Sequence, residues 1–375
     1  LMAGVGQTVL LWALHVPLGL QLAVWLSLAV ATTAGWMVTR PLAVYVPEFE
    51  ARWALAFIVG VALSAMSFWL VAHRRVSRWL ELDGLQAIGL VSMALVAAAG
   101  LSAALVFRTP ARRPVLGSPI PILVALVLAL AMSVATIYGA VNSTAVHAPG
   151  AAAVLAELSP QHPLSSSTTR EWGIPGDYYA QLVQFPQAVV LEGLPAGTEL
   201  GHRHVQLWAL SMTTPFDEYD VADPVQGVKT ASVPLRLALL LLAWTVARRI
   251  LRLAPLLAAI AVAAIMLFAP LRFPPWDFSS GTYLGFVGSS GSTYHNLPQV
   301  VVVTMGMAAV LLMGRMVQAA ELQGIPYASA CGLIAASFWF KPSLFIIFGP
   351  ALGLVSLLWL RRAPWVVTGG WAILT

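Results

Sequence analysis

The sequence predicts an all-α fold, a polytopic transmembrane helical bundle of about 9–10 helices, with a large outward loop bearing short interfacial helices. Three observations carry this prediction. Hydrophobic residues make up 59% of the 375 positions. Charged residues make up only 9%, against ~25% in an ordinary soluble domain, and mean hydropathy is +0.83. The apolar residues are also gathered into runs. A hydrocarbon core ~30 Å thick takes roughly 20 helical residues to cross, and several runs reach that length. This composition excludes a water-soluble enzyme, a disordered regulator and a nucleic-acid-binding module.

Taken in order, apolar runs cover residues 9–38, 53–72, 85–107, 120–141, 233–247, 253–271, 299–316 and 344–360, with a weaker one at 327–340. Another begins at Pro364. The first run is long for one pass, and Pro17 and Gly19 are placed to kink or split it. The chain opens on Leu1 and stops inside an apolar run at Thr375, so it reads as a piece of a longer protein. The organisation predicted is N-terminal membrane helices over 1–141, an outward loop region over 142–232 and C-terminal membrane helices over 233–375.

Orientation follows from Lys and Arg in short loops, which favour the cytoplasmic side. Helix counting puts Arg108, Arg112 and Arg113 on one side with Arg248, Arg249, Arg252, Arg361 and Arg362. Segments 142–232 and 272–298 then face outward. Arg74, Arg75 and Arg78 disagree, because they fall on the outward side. Either a helix is miscounted near the N-terminus or 74–81 lies along the interface. The segment 142–232 holds nine acids and three bases. The basic surplus behind the formal net charge of +5 therefore sits mostly in the cytoplasmic loops, where it suits topology and anionic lipid. No nucleic-acid partner is needed to explain it. Cys331, the single cysteine, stands in an apolar stretch and reads as a small buried hydrophobe.

The outward segments hold the residues with chemical potential. Pro175-Gly176-Asp177 is a turn followed by a helix N-cap. Asp177 reads either as that cap or as a catalytic carboxylate held by the capping turn. Tyr178 and Tyr179 suit packing at the interface or stacking on a sugar. His202 and His204 would point the same way only on an extended strand. There a third ligand such as Asp177 or Glu199 would make a metal site; a polar surface turn is the plainer reading. Asp217, Glu218, Asp220 and Asp223 read as a solvated acidic face or a divalent-cation site. Asp277 precedes a Gly/Ser-rich stretch that ends in Tyr294-His295-Asn296, either a connector or a substrate lid. Lys341 interrupts an apolar run at its outer end. It reads as snorkelling or as a functional charge, since ionisable residues in membrane runs mark sites by default.

Gly176-Asp177-Tyr178-Tyr179, Tyr294-His295-Asn296 with Pro298, and Lys341-Pro342-Ser343 together resemble the GT-C superfamily, and within it a group of bacterial envelope proteins. The departures are Gln181 in place of a histidine, Leu297 inserted before Pro298, Gln299 in the place of a threonine, and about four helices ahead of the acidic motif. The resemblance implies a glycosyltransferase of the cell inner (plasma) membrane. Its donor would be a polyprenyl-phosphate-linked sugar and its acceptor a lipid or glycan of the envelope, with a divalent cation left open. It implies Asp177 as base, with Asp277 in reserve. His295, with Tyr294 and Asn296, would contact donor or acceptor, and Lys341 the donor phosphate. Asp177, His295 and Lys341 are then expected in one outward cleft. The rivals are a transporter or flippase and a polysaccharide polymerase. No internal repeat is evident, and charges inside the apolar runs read as nearly absent, which disfavours the transporter.

Overall fold

Small residues decide how the first long helices meet. The computed structural model describes residues 16–82, 84–107, 120–129, 203–216, 223–267, 297–319 and 323–340, with short helical stretches between 349 and 370. Helix α1, Leu18–Val38, is preceded by Pro17, whose extended backbone starts it. Helix α2, Phe49–Ala72, runs back beside it. Ala31 and Gly35 on α1 face Ala56 and Gly60 on α2. A Cβ on Gly35 would overlap the Ala56 carbonyl, and one on Gly60 would overlap that of Ala31. Both helices thus carry small residues four apart, and the backbones approach until they touch. Without a solvophobic force between helices in lipid, such close packing is what holds them together. Gly100 of α4, Gly84–Val106, closes on Ala34 in the same way.

Between α2 and α4 lies α3, Arg74–Trp79, a helix of six residues. His73 caps it, its Nδ1 accepting from the Arg75 amide. Trp79 is 81% exposed. A short exposed helix carrying arginines and a tryptophan is an interfacial element. Of the two readings of Arg74, Arg75 and Arg78, this helix fits the one that lays 74–81 along the interface.

Helix α5 is Ile120–Ala129, and α6 is Arg203–Thr213. Helix α7, Asp223–Thr245, contains Pro234 and passes into a π-helical turn, Val246–Ile250. Helix α8 is Pro255–Leu267. Helices α9, Leu297–Ala319, and α10, Gly324–Phe340, are consecutive and pack along their length as a hairpin. Tyr327 of α10 shares a hydrogen bond with Ser356 at 2.5 Å. Cys331 is fully buried beside it, as its sequence setting predicts.

Every regular element among the described residues is helical. Among the described residues, five stretches are long and apolar enough to cross a membrane: Leu18–Val38, Phe49–Ala72, Gly84–Val106, Thr230–Ile250 and Val300–Ala319. Leu18, Leu22 and Leu26 form an exposed stripe on α1, and Leu90, Leu101 and Leu105 stand exposed on α4. Such leucines suit lipid rather than water. The protein is a multi-pass membrane protein with an all-α bundle fold. Its core joins α1, α2, α6, α7, α9 and α10 around Leu55, Ile58, Trp208, Leu239, Leu312 and Tyr327.

Candidate functional site

Asp177, Tyr178, Tyr179, His202, Asp277, Tyr294, His295, Asn296 and Lys341 lie outside the described residues, as do Asp217, Glu218 and Asp220. His204 falls in the first turn of α6. His204 is therefore helical, not on the extended strand that a paired reading with His202 needs. Asp223 opens α7.

The helices next to His202, Asn296 and Lys341 are described, and their ends converge. Helix α6 begins one residue after His202, α9 begins one residue after Asn296, and α10 ends one residue before Lys341. Leu207 and Leu210 of α6 cluster with Phe68, Val71 and Ala72 at the end of α2 and with Leu85 and Ile88 at the start of α4. Trp339, near the end of α10, meets Trp69 of α2 edge-on, ring centroids 5.6 Å apart. The hairpin brings the start of α9 to that same end. Arg40, Arg248, Arg249, Arg252 and Arg315 gather at the opposite end, which the positive-inside rule assigns to the cytoplasm.

Helix α6 carries the largest surprise. Its stretch of sequence reads as part of the outward loop region 142–232. In the structure Leu207, Trp208, Ala209 and Leu210 are buried among α1, α2, α4 and α7. Eleven residues make only ~16 Å of helix at 1.5 Å per residue, about half a membrane. Leu207 and Leu210 pack at the start of α4, and Thr214 meets Gly89 there too. Thr213 meets Gly227 near the start of α7, so the helix is buried at that end of the bundle without crossing it. Its last carbonyls need partners, since water is absent there. Ser27 Oγ donates to the Met212 carbonyl at 2.9 Å, and Thr213 and Thr214 hydroxyls donate to the carbonyls of Ala209 and Leu210. Gly89 and Gly227 make room for Thr214 and Thr213. Ser, Thr and Gly at these places are what allow a helix to end in the bundle.

Polar groups continue along α7. Thr230, Ser232 and Arg236 are each buried to within 3% of full burial. Pro234 between them withholds one backbone donor. Arg236 stands inside an apolar span, where a charge is costly and marks function by default. The sequence reading passed over it, although an arginine two residues beyond a proline in an apolar run was the visible signal. Gln21, on α1, donates from Nε2 to the Val16 carbonyl at 3.1 Å and is fully buried.

The arginine-rich end is ordered by one carboxylate. Glu48 Oε1 accepts from Arg315 Nη2 at 2.6 Å and lies 3.1 Å from Arg249 Nε. Gln318 of α9 donates to the carbonyls of Arg249 and Ile250 at the end of α7. Nearby, Arg52 lies over the Trp36 ring, 4.4 Å from its centroid, a cation–π contact.

Among the described residues, no three His, Cys, Asp or Glu side chains come together as a metal site would require. No protein-family model, curated protein or solved structure matches the chain.

Proposed function

We propose that the protein is a membrane glycosyltransferase of the cytoplasmic (inner) membrane. It takes a sugar from a polyprenyl-phosphate donor at the outward face and passes it to an envelope lipid or glycan. The observation that supports this reading is the convergence of helix ends. The helices flanking His202, Asn296 and Lys341 open at one end of the bundle, opposite the arginine-rich end. Three helix ends far apart in sequence, each one residue from His202, Asn296 or Lys341, thereby come to one end of the bundle. In this reading Asp177 deprotonates the acceptor hydroxyl, which attacks the anomeric carbon. The bond to the lipid phosphate breaks, and the phosphate leaves with its electron pair. Lys341 offsets the charge on that phosphate, and Asp277 is the reserve base. Tyr178, Tyr179, Tyr294, His295 and Asn296 bind the sugars.

General-base assistance is worth ~10²–10⁴-fold. Asp177→Asn membranes should therefore lose at least ~10²-fold in transfer from a radiolabelled polyprenyl-phosphate sugar. Unchanged transfer at normal expression would remove Asp177 from this role.

A carrier or flippase is the second reading. The buried Arg236 favours it, because carriers place charges inside the membrane. Proteoliposomes separate the two. Movement of a labelled lipid-linked sugar between leaflets, with no glycosylated product, selects the carrier.

A further inference from the structure

A cleft of about 410 Å³ opens at the arginine-rich end. Glu48, Glu50, Trp244, Thr245, Arg248 and Arg249 line it, with the first residues of α5 and α8. Its walls come from four elements that meet where the helices leave the membrane. The π-helical turn Val246–Ile250 brings both arginines to it, and segments of this kind are frequent at functional sites.

The charges in the cleft are of both signs and are only partly used. Glu48 spends Oε1 on Arg249 and Arg315, while its Oε2 is buried with no hydrogen-bond partner among the described residues. Glu48 is only 7% exposed. Oε2 of Glu50 is buried in the same state. Two buried carboxylate oxygens therefore await a donor. Arg248 commits one nitrogen to the Leu253 carbonyl, and a guanidinium has five N–H donors in all. Arg249 holds Glu48 through Nε and is 58% exposed along its side chain. Both retain donors suited to phosphate.

A lone divalent cation would meet Arg248, Arg249 and Arg315. A lone phosphate would meet two carboxylates. A ligand that carries an ammonium and a phosphate a few bonds apart satisfies both sets. We propose that this cleft binds the headgroup of a zwitterionic phospholipid of the phosphoethanolamine class at the cytoplasmic leaflet. The ammonium donates to the carboxylates of Glu48 and Glu50, which line the cleft and turn their unused oxygens toward it on binding, and the phosphate accepts from Arg248 and Arg249. The choice of a primary ammonium follows from its three N–H donors; a trimethylammonium has none to give the two oxygens. The choice of a lipid over a soluble amino-phosphate follows from the cleft's place at the membrane edge and its apolar walls at Ile120, Pro121 and Pro255.

The test is native mass spectrometry of the delipidated full chain. The protein is offered equal amounts of phosphatidylethanolamine, phosphatidylcholine and phosphatidylglycerol. Ethanolamine lipid should be retained roughly tenfold over the other two, the size of one or two charge-assisted hydrogen bonds. Glu50→Gln should bring ethanolamine and choline lipids to parity. Arg248→Gln should weaken all three. Glu50 makes no ion pair among the described residues, so its variant keeps the test open if Glu48→Gln fails to fold. Equal retention of the three lipids by the unaltered protein would overturn the proposal. So would a preference that survives Glu50→Gln and Glu48→Gln together. Glycerophosphoethanolamine competing as well as the lipid would overturn the lipid assignment.

Discussion

Gly35 and Gly60 have no side chain because the opposing backbone occupies the space that one would need. Gly35→Val should push α1 and α2 apart at the cost of overpacking, roughly 1–3 kcal/mol. Gly332, with open space around its Cα, is the matched control. Thermal unfolding in detergent should show a lower Tm for Gly35→Val and none of that loss for Gly332→Ala; equal behaviour of the two would refute the close contact. Ser27 acts on the other side of α1. Ser27→Ala would strand the Met212 carbonyl inside the bundle, a loss of about 1–2 kcal/mol. Cleavage of the native protein by chymotrypsin after Phe216, which follows that end of α6, should then rise. Both residues were visible in the sequence as small residues in an apolar run. Which backbone each would meet was not, because a glycine records only that space is short, not what fills it.

Helix α6 shows where reading by period and composition stops. Polar residues flank it on both sides, and eleven residues are too few to register as a span. Its burial comes from neighbours supplied by α1, α2, α4 and α7, all distant in sequence. Trp208→Ala should destabilise the protein by ~3–5 kcal/mol, as for other buried aromatics. A tryptophan on the membrane face would lose far less, so denaturation of this one variant decides between the two placements. The long helices were easier. Runs 53–72, 85–107 and 299–316 correspond to α2, α4 and α9 within a few residues, since the bilayer sets their length and the sequence must supply it. The π-turn at 246–250 had no comparable signature. It arises where α7 must present Arg249 to Glu48 and end against Gln318.

At the scale of the molecule, the two ends differ in charge and in what opens there. Single cysteines would read this directly, because Cys331 is fully buried and should stay silent. Trp79→Cys should react with a membrane-impermeant maleimide on intact cells. Leu251→Cys, 61% exposed in the unaltered protein, should react only after permeabilisation. The reverse pattern would invert the orientation and move the proposed transfer to the cytoplasmic face.

The amino-acid sequence by itself determined that this protein is helical, that it crosses the membrane several times and which ends its arginines mark. Those properties depend on local apolar length and local charge, which each segment carries alone. Only the tertiary structure decided that α6 lies inside the bundle, that Glu48 gathers Arg249 and Arg315, and that the helices beside His202, Asn296 and Lys341 open at a common end. Each of these is a meeting of residues up to hundreds of positions apart, as with Glu48 and Arg315 at a separation of 267. Such meetings are set by the packing of small side chains and by the need to satisfy polar groups away from water, and neither is a property of any one segment.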